Sequence, residues 1–262
     1  MFLAFDIGNS DITVGVHHDG QWKHLFRIVT HLSSRAGDYE AQLRLLFLEN
    51  NLKISEVVQV VVSSVVPEKT GIVKDLILQL FGKEPIVVGP TVYPHLKLEI
   101  VSPHEIGTDL VANAVYAYHT YHQDCIVVDF GTALTFTIVS GEGKILGVSI
   151  APGLKTAVKS LFANTAQLPE VPLQMPESAI GQNTVHAIQA GVLWGYVGLV
   201  EKMIERIKME IGMPHKVLAT GGLSSILTPL RYQFDEVDVN LTMNGLKIIA
   251  ELVEKNRGRF NG

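Results

Sequence analysis

Leu3, Ala4 and Phe5 form an apolar run that breaks at the polar turn Asp6-Ile7-Gly8-Asn9-Ser10, and a second strand leads from there to the turn at Gly20. The chain therefore opens as a β-hairpin. Leu43, Leu45, Leu46 and Phe47 lie among charges between Tyr39 and Asn50, after the turn-like Arg35-Ala36-Gly37-Asp38, and make a helical stripe. Val57 to Val66 is β-branched and nearly unbroken, the pattern of a strand covered on both faces, and Pro67 ends it. A helix over Lys69–Phe81 stops at Gly82, and Pro85–Val88 is a short strand. Ile106, Leu110, Val111, Ala114, Val115 and Tyr118 give Glu105–Tyr121 a helical period, which puts Gly107-Thr108-Asp109 at the start of that helix.

Pro152-Gly153 opens a short helix through Leu161, and Pro169 to Pro176 reads as an extended loop. Thr184–Ile211 is the longest helix, with Gly191, Gly195 and Gly198 on one side. Each of these glycines costs about 1 kcal/mol against alanine, which suits a face that another helix or a second subunit approaches closely. Val217–Ala219 is a strand, Thr220-Gly221-Gly222-Leu223 a turn, and Gly245–Lys255 a closing helix. Strands alternate with helices, so the class is α/β with two sheets, each covered by helices.

Laid against itself at an offset of 123, the chain repeats its punctuation: LAFDIGNSDITVGVHHDGQWK over residues 3–23 meets IVVDFGTALTFTIVSGEGKIL over 126–146. Without a gap, Asp6 falls on Asp129, Gly8 on Gly131, Val16 on Val139 and Gly20 on Gly143. An internal duplication follows, with halves over 1–118 and 119–262, each opening on a hairpin whose turn holds an Asp and a Gly.

Composition narrows the chemistry. The 262 residues are 47% hydrophobic with a net charge of -5 and no basic run, which argues against binding a nucleic-acid backbone. One cysteine, Cys125, removes a disulfide framework and suits a reducing cytoplasm. The first residues read as a strand rather than a signal peptide. Ser178–Val200 carries no formal charge, yet Gln182, Asn183, His186 and Gln189 make it a buried helix rather than a membrane span.

Three glycine turns follow apolar strands, at Asp6–Ser10, Asp129–Ala133 and Thr220–Leu223. Glycine after a strand lets backbone N–H groups approach an oxyanion, so three such turns suggest a nucleotide; the plainer alternative is a hairpin that needs only a positive φ. None fits the P-loop or the GxGxxG pattern. A carboxylate beside a phosphate repels it unless a cation intervenes. Asp6 and Asp129 thus imply Mg²⁺ carried with the nucleotide, or a monovalent ion on oxygen ligands. Asp109 stands at a helix start, where a solvated cap is the alternative to a catalytic role.

Taken together, DIGNSDITVGV, GTDL, DFGTALTF, APGL, IGQNTVHAIQAG and ATGGL resemble, in order and spacing, the type III pantothenate kinases of the superfamily of acetate and sugar kinases, heat-shock chaperones and actin. The resemblance runs from about residue 2 to 250. It implies a duplicated ribonuclease-H-like fold, ATP between the halves, and phosphorylation of pantothenate at the start of coenzyme A synthesis. Asp6, Ile7, Gly8, Asn9, Ser10, Asp11, Ile12 and Thr13 would then form the phosphate-binding hairpin, and Thr132 a further ATP contact. Asp109 would be the general base, with Gly107, Thr108 and Leu110 beside it at the substrate. Asp129 would hold potassium or ammonium, and Thr184 would reach pantothenate from the other subunit of a homodimer.

Two positions depart from the family. Leu110 stands where the substrate motif ends in arginine, and Ile100 where an aromatic is common. Loss of a charged hydrogen bond to the substrate carboxylate costs about 1.5 to 3 kcal/mol unless another cation compensates, and Lys97, Lys155 and Lys159 are candidates. The alternatives are a kinase of the same superfamily with another hydroxyl acceptor, or a nucleotide-binding regulator. His119, His122 and Cys125 at spacings of three read as a helix end rather than a zinc site, and Ser63-Ser64 lacks the glycines of a nucleophile elbow. His17-His18 reads as solvated, and Trp22 and Trp194 as core or interface.

Overall fold

The computed structural model describes residues 1–31, 36–163, 171–212, 215–222 and 226–260. Arg35 of the first expected turn, Pro169 and Glu170 of the expected loop, and Leu223 of the third glycine turn lie outside the described residues. In chain order the elements are β1 (Phe2–Ile7), β2 (Asp11–His18), β3 (Gln21–Val29), α1 (Ala36–Glu49), β4 (Gln59–Ser64), α2 (Pro67–Phe81), β5 (Ile86–Val87) and α3 (Thr108–Tyr121). There follow β6 (Cys125–Phe130), β7 (Ala133–Val139), β8 (Ile145–Pro152), α4 (Leu154–Ala163), α5 (Thr184–Gln189), α6 (Gly195–Ile211), β9 (Lys216–Thr220), β10 (Glu236–Val237) and α7 (Leu241–Phe260).

The chain divides into two compact units, Met1–Tyr116 with Thr242–Gly262, and Ala117–Leu241. The division lies close to residue 118, but the closing helix groups with the first unit rather than with the half that precedes it. Trp22 donates its indole N–H to Asn244 Oδ1 at 2.7 Å, and Thr242 donates to Asn113 Oδ1 at 2.8 Å, so α7 is tied to both β3 and α3.

Each unit holds one five-stranded mixed sheet, ordered β3-β2-β1-β4-β5 in the first and β8-β7-β6-β9-β10 in the second. The strand senses agree as well: β1 is antiparallel to β2 and parallel to β4, while β6 is antiparallel to β7 and parallel to β9. Both sheets therefore carry the same topology, and the duplication is real. The ungapped alignment fails inside it. Asp6 pairs with Thr13, but Asp129 pairs with Thr135, so the second copy's first turn is one residue shorter. Val16 therefore corresponds to Ile138, not Val139. The next turn restores the missing residue: His18 and Gln21 close around two residues, whereas Ser140 and Lys144 close around three, and the same β-bulge, at Val16/His17 and at Ile138/Val139, accompanies both turns.

Local chemistry accounts for the element ends. Asp19 and Gly20 both take positive φ, at 49° and 79°, in the two-residue turn that matches the twist of a hairpin. Pro67 starts α2 at a position where its missing N–H costs nothing, and Gly82 closes that helix at φ 63° with its N–H on Leu78 O. Val60, Val61 and Val62 are all but inaccessible, as expected of a strand covered on both faces. Of the two histidines expected to be solvated, His18 is exposed and His17 is half-buried. Its ring meets Trp22 edge-on at 5.1 Å, and burial, with the Lys247 charge, lowers its pKa.

One contact shows how closely α7 packs. A Cβ on Gly245 would run into the Ala112 carbonyl of α3. Gly245→Ala is expected to lower stability by roughly 1–3 kcal/mol, the usual range for overpacking, in urea denaturation. Unchanged stability would contradict the close approach.

Candidate active site

The carboxyl end of β1 places Asp6 in a row across the first sheet, with Thr13 opposite on β2 and Ser63 opposite on β4. Residues paired across strands point to the same face. Ser63 Oγ donates to Asp6 Oδ1 at 2.9 Å and lies 2.9 Å from Thr108 Oγ1. Thr108 Oγ1 also accepts from the Ser64 N–H at 2.9 Å and stands 3.1 Å from the Ser64 carbonyl. The first residue of α3 is thus fastened to the end of β4, and through Ser63 to Asp6.

That fastening sets Asp109. Its carboxylate accepts from the Leu110 N–H at 2.9 Å, and a Cβ on Gly107 would collide with it, which is why glycine stands there. Burial pushes the Asp109 carboxyl above the usual carboxylate range, against the pull of the Leu110 and Asp109 backbone N–H groups. Tyr93 is buried, and its phenol is raised by that burial and by the charge on Asp109. Leu110 is buried as well, so this position offers neither a cation nor an exposed contact to a substrate.

The turn beside Asp6 is braced from below. Gly8 donates its N–H to Asp11 O at 3.0 Å, Thr30 donates its hydroxyl to Gly8 O at 2.6 Å and its N–H to Ser10 O at 3.0 Å, and the Tyr39 hydroxyl holds Thr30 O. Asn9 and Ser10 are exposed at the tip. A rigid hairpin with an exposed tip suits an anion-binding turn, since little ordering remains to be done on binding.

The second unit repeats the row with different neighbours. Asp129 pairs with Thr135 on β7 and with Thr220 on β9. Thr132 is exposed at its hairpin tip, and its carbonyl takes the Gly153 N–H at 3.0 Å and the Thr156 hydroxyl at 2.7 Å. A Cβ on Gly153 would strike the Gly131 and Thr132 carbonyls, and Gly221, at φ 93°, packs on the Phe130 backbone. These contacts explain two glycines that the sequence marks only as turns.

Thr184 begins α5 behind Asn183, whose side chain accepts from the His186 N–H at 2.9 Å. It opens on a groove of about 550 Å³ shared with Leu161, Ile188, Gly191 and Val192. Side chains added at Gly191, Gly195 or Gly198 would meet nothing within 4 Å, so no contact within the described residues requires glycine on that face.

The donors around Asp129 fit a hard cation. A carboxylate lies beside two hydroxyls in one row, and Thr135 Oγ1 is buried without a hydrogen-bond partner among the described residues. No group of three or more His, Cys, Asp and Glu side chains among the described residues could hold a metal. Cys125 is buried with its thiol pushed up to about 12, chiefly by that burial. No helix among the described residues is long and apolar enough to cross a membrane. Sequence reasoning missed Ser63 and Tyr93, and it took Thr220 only as part of a glycine turn rather than as the neighbour of Asp129. Ser63 stands out in the sequence only as a possible nucleophile, and nothing local reveals its partner on β1.

Comparison with known proteins bears on the family and the fold. A family profile described as type III pantothenate kinase matches residues 2–206. A type III pantothenate kinase of Treponema pallidum (strain Nichols) is 42% identical over 96% of this chain and 94% of its own. That of Geotalea daltonii is 38% identical over 98% and 99%. Two solved structures share the fold. The activator of 2-hydroxyisocaproyl-CoA dehydratase from Clostridium difficile, solved with ADPNP bound, has a TM-score of 0.53 at 12% identity over 98% of this chain and 97% of its own. An ethanolamine utilization protein from Carboxydothermus hydrogenoformans has a TM-score of 0.55 at 17% identity, over 94% and 89%.

The raised Asp109 carboxyl has a measurable cost. A carboxyl whose folded value exceeds the unfolded one keeps its proton longer in the fold, so stability falls as pH rises through the folded value. Asp109→Asn is therefore expected to melt at a higher temperature than the parent at neutral pH, with the gap closing in acid. A variant less stable than the parent at neutral pH would contradict the burial of this charge.

Proposed function

This chain belongs to the type III pantothenate kinase family, and on that premise we propose that it transfers the γ-phosphoryl group of ATP to the hydroxyl of pantothenate, giving 4′-phosphopantothenate and ADP in the first step of coenzyme A synthesis. The observation that supports the site assignment is the short hydroxyl bridge by which Ser63 joins Asp6 to Thr108, the residue before Asp109, in one unit.

We assign the phosphates to the hairpin Asp6–Thr13, where backbone N–H groups at an exposed tip can face oxyanions without reorganising. Thr132 is assigned as a further nucleotide contact. Asp109 is assigned as general base: it takes the hydroxyl proton as the acceptor oxygen bonds to the γ-phosphorus and the bond to the β-phosphate oxygen breaks. Its raised carboxyl suits that task, because a base nearer the working pH accepts a proton more readily. Mg²⁺ arriving with the nucleotide would neutralise phosphate charge beside Asp6. Asp129, with the hydroxyls of Thr135 and Thr220, is assigned to potassium or ammonium.

Gly107 keeps room for the Asp109 carboxylate, and Thr108 anchors it to β4. Leu110 adds packing rather than charge, so recognition of the pantothenate carboxylate falls to another cation. Lys97, Lys155 and Lys159 are all exposed and able to serve. We place the protein in the cytoplasm as a homodimer built on the glycine face of α6 and the groove at Thr184, with Thr184 reaching the partner's substrate.

Three measurements test these assignments. A coupled assay of ADP release is expected to show turnover that depends on pantothenate and Mg²⁺ and rises with potassium over sodium; turnover only with other alcohols would refute the acceptor. Asp109→Asn is expected to abolish transfer while ATP still binds, and the parent's kcat/KM should fall in acid along a limb lying above the ordinary carboxylate range. Full activity in that variant would remove Asp109 as the base. Gly195→Leu is expected to shift sedimentation toward the monomer, and an unaffected dimer would rule out this face.

A further inference from the structure

We propose that Ser63 is a positioning residue for phosphoryl transfer, the link through which occupation of the phosphate-binding hairpin is felt at the first turn of the helix that carries Asp109. This rests on the assignment of that hairpin to nucleotide and of Asp109 to the acceptor.

The count of protons gives the chain its direction. Ser63 is fully buried and has one hydroxyl proton. Ionised Asp6 can only accept, so Ser63 donates to it at 2.9 Å. The 2.9 Å contact between Ser63 and Thr108 then needs the Thr108 proton, and Thr108 in turn accepts from the Ser64 N–H. The order is Ser64 N–H to Thr108, Thr108 to Ser63, and Ser63 to Asp6. Charge at Asp6 polarises every member of such a series.

Thr108 also has a choice. Its single proton can go to Ser63 Oγ or to the Ser64 carbonyl at 3.1 Å. While Asp6 draws on Ser63, the Ser63 oxygen is the better acceptor. When a cation-bearing polyphosphate shares the Asp6 charge, the Ser64 carbonyl gains by comparison. Two acceptors for one proton form a small two-position element at the root of α3, and a ligand can bias only such an element. The next residue is Asp109, whose carboxylate is set by the same turn of backbone. Displacement by a fraction of an ångström there is enough to alter a proton transfer.

A hydroxyl is also kept at the matching place of the second unit. Thr220 stands against Asp129 as Ser63 stands against Asp6.

Hydrogen exchange on the full-length protein, with and without a non-hydrolysable ATP analogue and Mg²⁺, tests the relay. In the parent the analogue is expected to slow exchange both in the hairpin Gly8–Thr13 and at the Leu110 and Val111 amides of α3. In Ser63→Ala the hairpin still responds, the α3 amides do not, and kcat for pantothenate drops by roughly tenfold or more while KM for ATP stays near the parent's. Thr108→Val should reproduce that pattern, and Thr108→Ser, which keeps the hydroxyl, should retain the α3 response. An α3 response undiminished in Ser63→Ala overturns the proposal, and so does one undiminished in Thr108→Val should Ser63→Ala fail to fold. A parent whose hairpin responds while its α3 does not also overturns it, but leaves the nucleotide assignment standing. A parent hairpin that ignores the analogue overturns both.

Discussion

A carboxylate set among strands at the end of β1 must be given donors, and that requirement organises the first unit. Parallel pairing of β1 with β4 puts Ser63 directly beside Asp6, and the Ser63 hydroxyl meets the need at 2.9 Å. Having one proton, Ser63 must then accept from elsewhere, and the first residue of α3 supplies it. The helix bearing Asp109 is thereby anchored to the same strand ends that carry the Asp6 hairpin. Shifting β4 by one residue would turn Ser63 to the opposite face and leave Asp6 without this donor.

The second unit uses the same scaffold for a different end. Its sheet has the same order and strand senses, and even the bulge recurs at the matching place. Both aspartates have hydroxyls on the two flanking strands, but Thr135 beside Asp129 is buried without a hydrogen-bond partner among the described residues, whereas Ser63 beside Asp6 is engaged with a helix. Duplication supplied two acidic hairpins whose flanking residues differ, and the proposed division into a phosphate-facing and a cation-holding hairpin rests on that difference.

Much of this was legible in the sequence because it is local. The Asp-x-Gly turns, the two helices expected from Lys69 and Glu105, which begin at Pro67 and Thr108, and the stop at Gly82 all follow from residues adjacent in the chain. Edge strands β3 and β8 were not foreseen, since their mixed side chains face solvent on one side and lack an apolar run. The one-residue slip between copies was hidden too, because the loss in the first turn is cancelled in the second. Ser63 and Thr220 were beyond reach for a deeper reason: their meaning comes from parallel pairing with strands 57 and 91 residues away, which no periodicity records. Leu110, by contrast, stands out in the sequence as a departure, and its burial shows that the position has been given to the core.

The central claim is that the braced hairpin beside Asp6 receives the polyphosphate. A crystal structure of the protein with a non-hydrolysable ATP analogue and Mg²⁺ tests it most directly. The account predicts phosphate oxygens within hydrogen-bond distance of backbone N–H groups between Gly8 and Thr13, with the metal ion on the Asp6 side of the phosphates. A triphosphate bound elsewhere, with that turn untouched, would contradict it.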